Sequence, residues 1–320
     1  MKITIKHRLE YAVARSVILG VRFLPESLAY RGISALGQLW FLCSKRRQGY
    51  ALKFLRQAYP EGKTDRELLS LARRATGNFG KVMLDMLRIH RFLRNGTFEQ
   101  YVEGMDGFRE HLGKGPMLVL SGHLGSWEAG AIALALARDE AHMIVRHFKN
   151  PLVQRFIENS RLAAGMHLHP RRGGFRPLAT ALKNGAVAVH AVDQNQRLRG
   201  LFVPFFGKIA STERAAATLA VRRGYPVAIC TFARVGWGFR FRAVIHEVIQ
   251  MEVPTDKQDI APEVRRLVIR INRAIEKAIL AYPEQYLWVH DRYRTQPEQS
   301  QVEEFEAEQL DRLQVDSEVV

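Results

Sequence analysis

A chain of 320 residues, 47% of them hydrophobic, is long and apolar enough to bury a core as one large α/β domain or two smaller ones, which excludes a chain too polar to fold. Its two cysteines, Cys43 and Cys230, are far apart and match no metal or redox spacing; they read as small apolar packing residues of a reducing compartment. A net charge of +16 sets aside other strongly basic molecules as partners and calls for an anionic one: nucleic acid, an anionic membrane surface or a phosphorylated substrate.

The amino end carries Lys2, Lys6 and Arg8, but the apolar stretch that follows is interrupted and has no small-residue cleavage site, so no signal peptide of the usual form is expected. "YAVARSVILGVRFL" (11–24) is broken by Arg15 and Arg22, and the apolar run from Gly32 to Ser44 is 13 residues long, too short for a spanning helix. Arg8, Arg15 and Arg22 recur every seven residues, which on a helix makes a nearly straight basic row beside Val13, Val17, Ile18, Leu19, Val21 and Leu24. Such a helix suits a bilayer surface; a core helix whose arginines reach solvent, and a short single span with snorkelling arginines, are the alternatives. "KRRQGYALKFLRQAYP" ends a further helix at Pro60, and Thr64 with Glu67 three residues on predicts a capping box opening the next. Residues 1–100 therefore read as a helical, membrane-associated region.

From Gly115 short apolar runs alternate with helix-length stretches. Strands are expected at 116–122, 142–147, 187–193, 226–234 and 239–248, and helices at 126–137, 151–164, 175–185, 211–224 and about 258–281. The alternation predicts an α/β domain over 101–295, continuous with the helices before it, around a mixed, largely parallel sheet flanked by helices. From Gln296 to Val320, eight acidic residues face Arg312 alone, a solvated and mobile acidic tail that leaves the body more basic than the whole chain.

Within "SGHLGSWEAG" (121–130), His123 and Glu128 stand five positions apart. A continuous helix would leave them about 140° apart around its axis. A continuous strand would hold them more than roughly 15 Å apart on opposite faces. A strand-to-helix turn removes both obstacles: His123 then follows the carboxyl end of a strand, where sites of open α/β sheets gather, and Ser126 can cap the next helix. Glu128 falls in that helix's first turn, one position short of a capping box, and His123 is the nearest partner along the chain. A neutral imidazole beside a carboxylate is a general base with a fixed tautomer. No G-x-S-x-G elbow supplies a nucleophile, so the pair suggests direct attack by a substrate hydroxyl; an unrelated structural histidine is the competing explanation.

Other motifs carry less. His167 and His169 in "MHLHP" share one strand face without an evident third ligand and read as surface histidines, so no metal is expected. No Walker loop or G-x-G-x-x-G fingerprint is present. "GWGFRFR" (236–242) mixes aromatic and basic residues as nucleic-acid binders do, and an alternating edge strand explains it equally well.

An ordered set of segments then resembles the bacterial lipid A late acyltransferases, the lauroyl/myristoyl family. "HLGSWE" is its H-x-x-x-x-D/E box; Arg146, Asn150 and Arg161 in "IVRHFKNPLVQRFIENSR" match an R-x-x-x-N…R pattern; "AVDQN" supplies Asp193 and Gln194; "VPFFG" (203–207) precedes a Thr-containing helix; and "PEQYLWVHDRYRTQP" (283–297) is similar to a closing Q-x-x-W-x-H-x-R segment. The likeness runs from about residue 8 to 297, with Asp291 departing from the arginine that many relatives carry.

The resemblance implies a glycerolipid-acyltransferase-like α/β fold, an amino end on the cytoplasmic face of the bacterial inner membrane, and O-acyl transfer from an acyl-carrier-protein or CoA thioester to a hydroxyl of a lipid A precursor, in lipopolysaccharide biosynthesis and with no cofactor. It makes His123 and Glu128 the catalytic dyad. It makes Arg146, Asn150, Arg161, Asp193, Gln194, Phe205 and Phe206 substrate-binding. Arg146 and Arg161 suit phosphate, because guanidinium forks match its oxygens. Asp193 at a strand end suits support or pairing with an arginine, while Phe205 and Phe206 suit either an acyl groove or the core. Trp288 and His290 read as structural, and an amide of the 122–126 turn or a nearby arginine would serve the oxyanion. Implied partners are an acyl carrier protein, an anionic glycolipid and the membrane surface, with no nucleic acid. The same chemistry on another glycolipid such as a phosphatidylinositol mannoside, and a non-catalytic basic membrane- or nucleic-acid-binding protein, are the alternatives.

Overall fold

Four helices lead the chain: α1 (Ile5–Arg22), α2 (Glu26–Cys43), α3 (Lys45–Ala58) and the 30-residue α4 (Asp65–Arg94). They come from a computed structural model that describes residues 3–113, 115–146, 148–303 and 305, so most of the acidic tail lies outside the described residues. The capping box forms as the sequence predicts: the Glu67 amide donates to Thr64 Oγ1, and the Thr64 amide donates to the Glu67 carboxylate at 2.8 Å. α3 and α4 send Phe54, Leu55, Leu68 and Ala72 into the core that the sheet also builds. α1, α2 and the turn between them instead leave Ile5, Leu9, Val13, Leu19, Phe23, Leu28, Leu36, Leu39 and Trp40 exposed, Phe23 at 83%. Arg8 and Arg15 are exposed on α1, and the side chain of Arg22 lies outside the described residues. No helix among the described residues is long and apolar enough to cross a membrane.

The body follows as β1 (Val102–Glu103), α5 (Met105–Leu112), β2 (Met117–Ser121), α6 (Trp127–Arg138), β3 (Ala141–Val145), α7 (Pro151–Ala163), β4 (Met166–Pro170), α8 (Phe175–Lys183) and β5 (Val187–Ala191). It continues with β6 (Leu201–Phe205), β7 (Lys208–Thr212), α9 (Ala215–Arg223), β8 (Val227–Arg234), β9 (Phe241–Ile249) and α10 (Ile260–Ala281). Seven strands form one mixed sheet in the order β1-β9-β8-β2-β5-β3-β4, parallel except where β9 returns against β8. β6 and β7 make a separate antiparallel hairpin.

Central strands of such a sheet are covered on both faces, which is why they read as unbroken apolar runs. On β2, Leu118 and Leu120 point into the core beneath α8, α9 and α10, and Met117 and Val119 into the core beneath α6. α6 approaches the sheet closely: a Cβ on Gly130 would come within 2.6 Å of the Phe232 ring. Cys230 on β8 is buried and its thiol is pushed up to about 12 by burial, as suits a packing residue.

Candidate functional site

The register of the central strands sets the site. β2 and β5 are adjacent and parallel with Ser121 opposite Ala191, so the residues two positions beyond each strand, His123 and Asp193, emerge side by side at the carboxyl edge. The Asp193 carboxylate grips His123 twice: the His123 amide donates to Oδ2 at 2.9 Å, and Nδ1 donates to Oδ1 at 2.8 Å. Gly122 leaves the room required, since a Cβ there would lie 3.4 Å from the same carboxylate. Asp193 is buried, and the His123 side chain is 21% exposed.

The electrostatics of the pair follow from these contacts. Burial would raise the Asp193 carboxyl, but the imidazole's charge and its two hydrogen bonds hold it down at about 2. Burial would lower His123, and the Asp193 charge and hydrogen bond reverse this and raise it above the ordinary histidine value. An ionised Asp193 can only accept, so in neutral His123 the proton sits on Nδ1 and the lone pair on Nε2. The Gln194 side-chain amide donates to Nε2 at 3.2 Å, and Trp127 stands edge-on to the ring at 5.0 Å.

Glu128, expected as His123's orienting acid, has another task. It lies in the first turn of α6, buried, and both its oxygens are taken by the Arg161 guanidinium of α7, Nε to Oε1 at 2.7 Å and Nη2 to Oε2 at 2.9 Å. The carboxylate on His123 is therefore Asp193. The spacing argument searched along the chain, whereas the partner arrives across the sheet. Arg161, expected to meet a phosphate, is itself 92% buried and spends its fork on Glu128.

The remaining expectations divide. Asn150 is buried and caps α7, accepting from the Leu152 amide at 3.0 Å, while its own amide donates to the His7 carbonyl and Glu10 carboxylate of α1, so it pins the amino-terminal helix. Phe205 is fully buried among Phe54, Tyr293 and the Arg292 guanidinium, and the partly buried Phe206 packs on the same cluster; here the core explanation holds and no groove is formed by Phe205. Arg146 is exposed just past β3, at the same edge of the sheet as His123. In the closing segment Trp288 is buried with its indole donating to the Pro283 carbonyl, and His290, lowered to about 4 mainly by burial, accepts from the Asn195 amide at 3.0 Å.

Sequence reading missed what holds the turn itself. Ser126 does not cap α6; its hydroxyl donates to the fully buried Asp85 of α4 at 2.7 Å. Asp85 also accepts from the Tyr30 hydroxyl and pairs with the Arg234 guanidinium of β8. Asn78 links Arg234 to the Gly125 carbonyl, and Gln285 exchanges two hydrogen bonds with the Arg234 backbone. Gly125 has φ +66°, and a Cβ there would collide with the Phe232 carbonyl. The amides of His123, Gly125 and Ser126 are spent on Asp193, Gln285 and Phe232, so three of the turn's donors are not available to an oxyanion. "TGNFGKVMLD" (76–85) held a signal, because an aspartate on the apolar face of a long helix needs a buried partner.

Comparison of the sequence with known proteins places a family beside this site. The sequence model of the family described as bacterial lipid A biosynthesis acyltransferase matches residues 5–295. The chain is 26% identical over 291 residues to the lipid A biosynthesis palmitoleoyltransferase of Escherichia coli (strain K12), covering 87% of this chain and 90% of that one. It is 24% identical over 279 residues to the lipid A biosynthesis lauroyltransferase of the same strain, covering 86% and 88%.

Proposed function

Because the chain belongs to the bacterial lipid A biosynthesis acyltransferase family, and is thus an O-acyltransferase, we propose that it moves a fatty acyl chain from an acyl-carrier-protein or CoA thioester to a hydroxyl of a lipid A precursor, with His123 as general base and Asp193 as its orienting carboxylate. One observation carries the mechanism: Asp193 holds Nδ1 from behind, and the Nε2 lone pair stands at the carboxyl edge of the sheet. Nε2 takes the proton of the acceptor hydroxyl as its oxygen attacks the thioester carbonyl. The tetrahedral intermediate collapses, the carbon–sulfur bond breaks, and the imidazolium returns its proton to the leaving thiolate. Asp193 stabilises the imidazolium in between. The Gln194 amide, 3.2 Å from Nε2, holds that lone pair in the free enzyme and gives way to the acceptor hydroxyl, remaining a donor beside the reacting position.

Recognition of an anionic glycolipid falls to cations on the same edge. Arg146 follows β3, Arg171 and Arg172 follow β4, and Arg197 and Arg199 follow β5, all exposed and all at the carboxyl ends of parallel strands. The phosphate-binding role expected of Arg161 passes to this group. The exposed apolar side chains of α1 and α2, with Arg8 and Arg15 among them, suit a surface lying in the headgroup layer at the cytoplasmic face of the inner membrane.

The test is transfer of a labelled acyl chain from acyl-carrier-protein thioester to a panel of acceptors, with His123→Ala alongside. Ester formation on a lipid A precursor, abolished in H123A, is the expected result. Transfer only to a mannoside acceptor, or full activity in H123A, overturns the assignment.

A further inference from the structure

The two histidines of "MHLHP" find company in the folded chain. β3 and β4 pair in parallel with His142 opposite His167 and Ile144 opposite His169. Alternate residues of a strand share a face, so His142, His167 and His169 lie on one face of the last two strands of the sheet. Their rings stack: His142 lies 4.6 Å from His167 at 11° and 5.2 Å from His169 at 10°. Nδ1 of His142 is 2.9 Å from Nε2 of His169, and Nε2 of His167 is 3.4 Å from the carboxylate of Glu140, which precedes β3. Donor atoms of Glu140, His142 and His167 all lie within 4.8 Å of one another.

We propose that Glu140, His142 and His167, with His169 holding the His142 ring from beside, form a site for a divalent transition metal of the zinc class, clipping the edge strand β4 to β3. Imidazole nitrogens and one carboxylate oxygen are the ligand set that zinc favours, at about 2.0–2.2 Å from each atom, which places neighbouring ligands roughly 3.4 Å apart. Nε2 of His167 and the Glu140 carboxylate, 3.4 Å apart, match that value, and the His142 donor lies within 4.8 Å of both. His167 and Glu140 are about half exposed and can turn, whereas His142 is fixed by burial. The 2.9 Å contact with His169 orients the His142 ring and leaves its other nitrogen for the metal. The site lies on β3 and β4, two and three strands from β2, so it stands apart from the His123 chemistry.

The test is zinc titration of the untagged full chain by calorimetry, with cobalt(II) substitution read by visible absorption. One equivalent should bind, cobalt should give the intense bands of a tetrahedral centre, and saturating zinc should raise the melting temperature. His167→Gln, at an exposed position, should weaken binding at least the roughly tenfold that loss of an outer partner alone costs. His167→Ala/His169→Ala should abolish the cobalt bands while the circular dichroism of the metal-free chain is unchanged. Equal zinc binding by the wild type and both variants, or an octahedral cobalt spectrum indifferent to them, would overturn the site.

Discussion

At the scale of single residues, the structure separates two carboxylates that the sequence motif cannot tell apart. Asp193→Asn keeps the shape of the pair but leaves Nδ1 without a charged acceptor, and should lower kcat by about 10²–10⁴-fold with little loss of melting temperature, measured by acyl-transfer assay beside thermal denaturation. Glu128→Ala should act through the fold: it strands the buried Arg161 charge, so denaturant titration should show a loss of about 3–5 kcal/mol. pH dependence follows from the same contacts. The raised pKa of His123 stabilises the fold fully below about 6.5 and less as pH rises through the raised value. The depressed pKa of Asp193 stabilises it above about 4 and fails as pH falls toward 2. The pair is therefore strongest between about pH 4 and 6.5, and the stability gap between wild type and His123→Gln should narrow above that window. His123 was legible from its place after a strand. Its partner was not, although strands 116–122 and 187–193 were both recognised: laying them parallel and in register brings Asp193 to His123, a step that local spacing cannot replace.

Among the elements, those with strong periodicity or caps were legible and those made by tertiary context were not. The α4 capping box was readable from Thr64 and Glu67 because both partners lie within one turn; Thr64→Ala should cost about 1 kcal/mol in denaturant titration and leave turnover unchanged. The β6–β7 hairpin was not foreseen, since its strands are only five residues each and Thr212 reads equally as the start of a helix. α5, at eight residues, is too short to show a period. Ser126 looked like a cap because it stands where a cap stands, but a buried acid on α4 outbids the helix for its hydroxyl. That network fixes the turn bearing His123 from α2, α4, β8 and the closing segment. Asp85→Ala leaves Arg234 buried and unpaired and should destabilise the chain by about 3–5 kcal/mol. Gly125→Ala should be worse still for activity, because the backbone cannot keep φ +66° and clear the Phe232 carbonyl with a Cβ in place.

For the whole molecule, a basic body and an apolar amino-terminal face both suit the proposed membrane-surface role. Composition announced the charge, whereas the broken apolar runs left a short span open, and no described helix is long and apolar enough to cross a bilayer. Leu9→Glu/Val13→Glu/Phe23→Glu, all at exposed positions, should abolish co-sedimentation with anionic vesicles while the melting temperature holds. Arginine-to-serine changes at Arg146, Arg197 and Arg199 should raise KM for a phosphorylated acceptor more than they lower kcat. The account turns, however, on which acid serves His123, and a pH–rate profile of kcat/KM for acyl transfer by wild type, Asp193→Asn and Glu128→Gln tests this most directly. Activity should rise with pH through an inflection above 6.5 in the wild type, keep that inflection in E128Q, and lose both its height and its position in D193N. An unaltered profile in D193N, with the inflection displaced in E128Q, would contradict it.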